Sequence, residues 1–123
     1  MKVVGISGSP RKDGNCNTLV EHFLQEAARY GAETKMYVIS DMANVSGCIA
    51  CGACKKKAER CVLEDDLAVV LRAVETADVV VYATPVYFGD ASAQFKLAFD
   101  RHYSFLKGHT ESRLKKGKTA VFI

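Results

Sequence analysis

Four cysteines, Cys48, Cys51, Cys54 and Cys61, fall within the stretch GCIACGACKKKAERCV at 47–62. Their spacing is C-x2-C-x2-C-x6-C. Three thiolates in seven residues wrap one corner of a cube, and a fourth on a flexible arm closes it, which is the logic of a 4Fe–4S site. The match to the bacterial ferredoxin run is partial, because Val62 rather than proline follows Cys61. Zinc is the competing ligand for four thiolates, although zinc sites usually present two pairs of cysteines separated by a longer stretch. Lys55, Lys56, Lys57 and Arg60 would offset the thiolate charge and raise the potential of a cluster. Cys16 lies outside the set and reads as an incidental loop thiol.

The chain of 123 residues has the size of one domain, with 49% hydrophobic and 25% charged residues. A net charge of +3 is too mild to argue for nucleic acid, and the short lysine triplet reads as a solvated loop. The opening residues MKVVGISGS turn to Gly and Ser too early for a signal peptide. No apolar run reaches membrane-spanning length. Five cysteines without an export signal point to the cytoplasm, where clustered thiols bind metal or do redox work more often than they form structural disulfides.

The elements that must position these residues alternate. KVVGIS (2–7), ETKMYVIS (33–40), DVVVYAT (78–84) and KTAVFI (118–123) read as strands. A first helix is predicted from Thr18 to Tyr30, with Thr18 and Glu21 as a capping box and Leu19, Val20, Phe23, Leu24, Ala27 and Ala28 on its inner face. A second runs from Asp66 to Thr76, with Asp65 or Asp66 as cap and Leu67, Val70, Leu71 and Val74 inward. A third spans Ser92 to Leu106, with Phe95, Phe99, Tyr103 and Leu106 as its buried stripe. This order implies a doubly wound parallel α/β sheet of order 2-1-3-4, with right-handed crossovers. The apolar last strand and the absence of a fifth are expected of a single domain, 1–123, that is incomplete at its C-terminus. The cysteines then belong to an insertion loop, 41–65, of a length that is usually functional or disordered.

Two loops leave the sheet at one edge. SGSPRKDGNCNT (7–18) follows the first strand, where open α/β sheets bind phosphate. Ser7, Ser9, Asn15, Asn17 and Thr18 are its small hydrogen-bonding candidates for the anion, Arg11 and Lys12 add positive charge, Pro10 is a candidate lining residue between them, and Gly8 and Gly14 permit close backbone approach. No acid ends that strand, which excludes a phosphoacceptor receiver. The loop lacks the G-x-G-x-x-G spacing, and the GKT at 117–119 lacks the glycine and the helix of a P-loop. TPVYFG (84–89) follows the third strand, and Thr84, Pro85, Val86, Tyr87, Phe88 and Gly89 offer a wall for a flat ring. Phosphate at one loop and a ring at the other describe a mononucleotide, with FMN the natural candidate.

GISGSPRKDGNCNT, CIACGAC with Cys61 and EDD after it, and ATPVYFGDASAQFKLAFDR together resemble the NADPH-dependent FMN reductase family, and specifically its iron–sulfur flavoproteins. The resemblance runs from Met1 to Arg101. It implies a flavodoxin-like fold, FMN phosphate at Ser7, Ser9, Arg11, Asn17 and Thr18, and the isoalloxazine against Pro85 to Gly89. It implies dimers or tetramers, with Asp100 and Arg101 near subunit contacts, and a third flavin loop beyond the last strand. It also leaves open bare redox thiols at the four cysteines, as some relatives keep similar residues without a cluster. The expected function is electron transfer by FMN with NAD(P)H or a small-molecule or protein carrier as partner, and with no protein acid or base. A clusterless FMN or quinone reductase and a zinc-stabilised interaction module without flavin are the alternatives. His22, His102 and His109 have no metal-ligand spacing and read as surface or packing residues.

Overall fold

Runs of β-branched residues alternating with amphipathic segments produce the layers that the sequence predicts. The computed structural model describes residues 1–123. In chain order the elements are β1 (Lys2–Ser7), α1 (Asn15–Arg29), β2 (Glu33–Val38), α2 (Asp66–Thr76), β3 (Val79–Ala83), β4 (Val86–Tyr87), β5 (Asp90–Ala91), α3 (Ala93–Phe99), β6 (Leu106–Lys107), β7 (Glu111–Ser112) and β8 (Thr119–Phe122). Four of the strands form one sheet of order β2-β1-β3-β8, all parallel. The remaining four pair as two small antiparallel ribbons. No helix is long and apolar enough to cross a membrane.

Strand periodicity divides the core between the two faces of the sheet. Val4 and Ile6 of β1 join Val80 and Tyr82 of β3 in one cluster, completed by Leu67, Val70 and Val74 of α2 and Phe95 of α3. Val3, Val81 and Ala83 face the other way and pack on Val20 and Leu24 of α1. The second helix has the predicted bounds, and Leu67, Val70, Leu71 and Val74 are buried as predicted. Truncating one such leucine typically costs about 2–5 kcal/mol.

The first helix differs from its prediction at the start. It begins at Asn15, and Gly14 occupies the N-cap with no side-chain cap bond, so the capping box of Thr18 and Glu21 does not form. Thr18 instead donates its hydroxyl to the Gly14 carbonyl at 3.3 Å. The loop folds tightly enough for the helix to begin three residues early, which places Cys16 in the first turn rather than in a loop. Leu19 and Phe23 remain 49% and 37% exposed and Ala28 is exposed too, so the inner face is narrower: Val20 and Leu24, with Cys16 and Ala27 partly buried against them.

The third helix is also corrected. Its α-helical part ends at Phe99, and Asp100–Phe105 tighten into 3₁₀ turns. Three residues per turn bring every third side chain to the same face. The buried positions are Phe95, Ala98, Arg101 and Ser104, while Phe99 and Tyr103 are more open. The predicted stripe of Phe95, Phe99, Tyr103 and Leu106 assumed a continuous α-helix, and only Phe95 survives in it.

The GKT at 117–119 does structural work. Gly117 turns the chain at φ +83°, and Lys118 directs Nζ onto the carbonyls of Val74, at 2.7 Å, and Ala77. A cation there caps the C-terminus of α2 and complements its dipole.

Gly8 is where the first loop meets α3. Its N–H donates to the Ala83 carbonyl at 2.9 Å, and its carbonyl accepts from the Ser92 hydroxyl at 2.6 Å. An added Cβ would lie 2.4 Å from Phe95 Cβ and 2.8 Å from backbone atoms of the same residue. Gly8→Ala is therefore expected to lower stability by about 1–3 kcal/mol, read as a lower urea midpoint. An unchanged midpoint would mean that this contact yields without cost.

Candidate functional site

The loop after β1 is folded by its own side chains. The Ser7 hydroxyl accepts from the Ser9 N–H at 3.2 Å, and the Ser9 hydroxyl accepts from the Arg11 N–H at 3.2 Å. Buried Asn17 donates its amide to the carbonyls of Arg11 and Lys12, both at 3.0 Å. The Gly14 N–H also donates to the Arg11 carbonyl, at 3.1 Å. These bonds hold the carbonyls of the loop back, while the first N–H groups of α1 have no side-chain cap. Unpaired N–H groups at a helix start, with the dipole behind them, attract an anion. Pro10, Arg11, Asn15 and Thr18 are exposed around this helix start, whereas Ser7, Ser9 and Asn17 are buried scaffolding. The Asn17 Oδ1 has no hydrogen-bond partner.

The loop after β3 is bound to the first one. Thr84 accepts from the Ser92 N–H at 3.0 Å, and Ser92 caps α3 by accepting from the Phe95 N–H at 3.1 Å. The same Ser92 hydroxyl donates to Gly8, so both loops share one junction. Pro85 is half-buried and leads into a hairpin that sequence reading missed, with Val86 opposite Ala91 and Tyr87 opposite Asp90. Its tip, Phe88 and Gly89, has φ values of +50° and +83°, the type I′ pattern that normally takes Asn-Gly. A phenylalanine there is strained, by an amount on the order of 1–3 kcal/mol. Val86, Tyr87 and Phe88 are exposed.

The cysteine excursion starts from the same rim, where the Ser40 hydroxyl donates to the Ser9 carbonyl at 3.0 Å. Its return is fixed at α2: the Asn44 N–H donates to the Asp66 carboxylate and the Asp66 N–H to the Asn44 carbonyl, both at 2.9 Å. The Ser46 N–H donates to Asp65, also at 2.9 Å. Asp65 stands at the N-cap position but makes no cap bond. Its carboxylate pairs with Arg101 Nη1 at 2.6 Å to both oxygens. Arg101 also donates to the carbonyls of Ser46 at 3.2 Å and Leu63 at 3.0 Å. The two side chains are 0% and 8% exposed.

Two more cations fasten the loop. Lys55 Nζ donates to the carbonyls of Tyr103 and Leu106, both at 2.6 Å, and sits 3.6 Å from the Tyr103 ring centroid. Arg113 donates to the carbonyls of Cys54 at 2.9 Å, Ser104 at 3.0 Å and Leu106 at 3.1 Å. Lys55 is therefore a structural cation, unlike its exposed neighbours Lys56 and Lys57. Arg101 is buried within the chain. Neither role was visible in the sequence; the one available signal was an arginine three residues from Ala98 on an otherwise apolar face.

All four cysteines line one cavity of about 230 Å³, shared with Val62 and Arg101. None is in a disulfide. Their sulfurs are not gathered: no group of three or more His, Cys, Asp or Glu side chains is arranged to hold a metal ion. The Cys61 thiol adjoins the Arg101 guanidinium, and Arg101 Nε has no hydrogen-bond partner.

The histidines fit the packing reading. His22 is exposed. His102 directs Nδ1 at the Ala98 carbonyl at 3.0 Å and Nε2 at the Tyr82 hydroxyl at 2.9 Å. A ring that donates from Nδ1 to a carbonyl accepts at Nε2 from the phenol. Burial lowers the His102 value and pushes Tyr82 up to about 12, so both stay neutral near pH 7. His109 meets the Tyr103 hydroxyl at 2.9 Å.

The sequence profile of the NADPH-dependent FMN reductases matches residues 1–123. The chain belongs to that family. Relatives named iron–sulfur flavoprotein are 43% identical over 101 residues in Methanosarcina thermophila and 42% identical over 101 residues in Methanocaldococcus jannaschii. The aligned part is 82% of this chain but 52% and 51% of those proteins, so the chain spans about half the length of the curated relatives it matches. Among solved structures, an NADH:FMN oxidoreductase in its apo form superposes with a TM-score of 0.65 at 21% identity, over 97% of this chain and 55% of that one. An NAD(P)H:quinone oxidoreductase from Methanothermobacter marburgensis gives 0.65 at 18% identity, over 84% and 53%. The fold is flavodoxin-like, as the sequence implied.

In this FMN reductase family member, the Arg101–Asp65 pair makes the loop acid-sensitive. Burial alone would raise the Asp65 carboxyl, but the Arg101 hydrogen bonds and charge and the Ser46 N–H hold it below its ordinary 3.8. A lowered folded value means that the unfolded chain binds the proton first, so the stabilisation is complete above about pH 3.8 and is lost as pH falls below it. Asp65→Ala should cost about 3–5 kcal/mol near neutral pH, because it leaves a buried unpaired guanidinium. The gap from the wild type should narrow in urea unfolding at about pH 3. A gap that is the same at both pH values would contradict this account.

Proposed function

We propose that the chain is the FMN-binding part of a flavin-dependent oxidoreductase, and that Cys48, Cys51, Cys54 and Cys61 hold a 4Fe–4S cluster beside it. The observation that carries the reading is the shared junction. The anion-receptive loop, the hairpin and the cysteine excursion are hydrogen-bonded to one another through Gly8, Ser9, Ser40, Thr84 and Ser92. A flavin phosphate and a one-electron site would then be close neighbours on one rim.

The residues fit FMN. The α1 N–H groups and Arg11 would take the phosphate, with Pro10, Asn15 and Thr18 around it and Ser7, Ser9 and Asn17 holding the loop in shape. Thr84, Pro85, Val86, Tyr87, Phe88 and Gly89 would border the ring, and the strained Phe88 keeps its aromatic face outward. FMN, when bound, supplies hydride and single-electron chemistry. The chain's own part is to bind, orient and shield it, with NAD(P)H or a reduced carrier as the source of electrons.

The thiols fit a cluster better than zinc. Zinc sites usually present two separated pairs of cysteines, whereas C-x2-C-x2-C-x6-C follows the opening of the ferredoxin run, and all four thiols border one cavity of about 230 Å³ together with a buried guanidinium. A second reading draws on the sulfurs' not being gathered: a clusterless NAD(P)H-dependent FMN or quinone reductase with redox thiols. Names of solved relatives of this fold, NADH:FMN and NAD(P)H:quinone oxidoreductase, are compatible with it.

Anaerobic purification with flavin and iron quantitation separates the readings. About one FMN and about four irons per chain are expected. Flavin without iron supports the second reading, and zinc without flavin rejects both. Arg11→Ala should weaken FMN about tenfold or more while leaving iron unchanged. Phe88→Asn should raise unfolding stability by roughly 1 kcal/mol and lower FMN affinity; gain of stability with full FMN affinity would remove Phe88 from the site.

A further inference from the structure

Arg101 has one donor that the protein leaves unsatisfied. Its side chain is wholly buried, and its terminal nitrogens are engaged by Asp65, Ser46 and Leu63. Nε has no partner. Burying an N–H without an acceptor costs about 1–3 kcal/mol, more for a charged group. Such an orphan calls for a missing acceptor, and the surroundings limit what it can be. Arg101 lines the same cavity as the four cysteines, and Cys61 adjoins its guanidinium. Lys55 lines that cavity too, but its ammonium is turned onto the Tyr103 and Leu106 carbonyls. Lys56, Lys57 and Arg60 are exposed. Arg101 is thus the buried cation of this cavity whose charge lies next to sulfur with a donor to spare.

We propose that Arg101 is a positioning residue for the thiolate site, its Nε–H reserved for the Cys61 sulfur and its charge, set by Asp65, favouring the more negative state of whatever the four sulfurs hold. This inference rests on the cluster reading above. Hydrogen bonds to the sulfurs and nearby charge are established ways in which a protein sets the potential of such a site. One-electron reduction adds one negative charge and no atoms, so a fixed cation with an N–H on a ligand sulfur stabilises the reduced state. Asp65 acts in the opposite sense, because it partly cancels the guanidinium charge while holding it in place. The lysines that the sequence singled out are either engaged elsewhere or solvated, so charge near the motif is not by itself the tuning element.

The test is a mediated redox titration of the iron-containing protein, followed by absorbance and electron paramagnetic resonance, with dithionite as the electron source. Arg101→Lys keeps a charge but loses the Nε donor and the planar fork. Arg101→Gln loses the charge as well. The expected result is a lower midpoint in both, with Arg101→Gln shifted by about tenfold or more in the reduction equilibrium, about 59 mV for one electron. Because these changes also loosen the anchor of the loop, Asp65→Asn is the second variant: it keeps the guanidinium and should raise the midpoint. Shifts of opposite sign are not produced by a residue that only holds the loop together. Midpoints that stay at the wild-type value, or that fall in all three variants, overturn the proposal. Wild-type protein that contains flavin but takes up no iron would instead remove the cluster reading, and with it this inference.

Discussion

Arg101 gathers both ends of the cysteine loop around a single planar group. Its donors reach Ser46 on the outgoing side and Leu63 and Asp65 on the returning side, and the four cysteines lie between those points. A buried ion pair adds little net stability, since desolvation offsets most of the Coulomb attraction. Breaking it strands the surviving charge, which is costly. The arrangement is therefore close to all-or-none. The loop closes with Ser46 and Leu63 on one guanidinium, or Arg101 cannot be buried. The positions of the thiols depend on that closure.

Burial of Arg101 depends in turn on how the third helix ends. Phe95 and Ala98 face inward on the α-helix itself, and Arg101 and Ser104 continue the same face at intervals of three because the helix tightens after Phe99. Tightening exposes the last carbonyls of the segment, and a chain end of that kind needs donors. Lys55 and Arg113 supply them at Tyr103, Ser104 and Leu106. Arg113 bonds the Cys54 carbonyl as well. The carbonyls released there are met by one cation of the cysteine loop, Lys55, and one that follows β7, Arg113. One local change of helical pitch thus both turns an arginine inward and creates the surface on which the cysteine loop is seated.

The parts of this structure that follow from local pattern were legible. The four parallel strands, their order, the bounds of α2 and its inward leucines and valines all follow from periodicity of two or 3.6 residues. The convergence of the two loops at one sheet edge follows from topology. What escaped depends on distant partners. Asp65 looks like a helix cap because it precedes Asp66 and an apolar run, yet its carboxylate is turned to a guanidinium 36 positions away and to the Ser46 N–H rather than to the first N–H groups of α2. The aromatic spacing of Phe95, Phe99 and Tyr103 fits an α-helix, and nothing in that spacing announces the shift to three residues per turn. The hairpin at 86–91 escaped for another reason: its tip holds Phe-Gly, where the turn type favours Asn-Gly.

Side-chain hydroxyls connect the regions that would have to cooperate. Ser7 receives Ser9, Ser9 receives Ser40, Gly8 receives Ser92, and Ser92 donates its own N–H to Thr84. Ser7, Ser9 and Ser92 are buried, so water is poorly placed to replace a lost partner there, and leaving one polar group unpaired costs more than the bond itself contributes. Such a network resists the independent motion of one loop. The base of the rim is held by it, whereas the hairpin tip and the outer cysteines, Cys48 and Cys51, are exposed. The base of the rim is thus fixed by buried serines, while the side chains at its edges stay open to solvent.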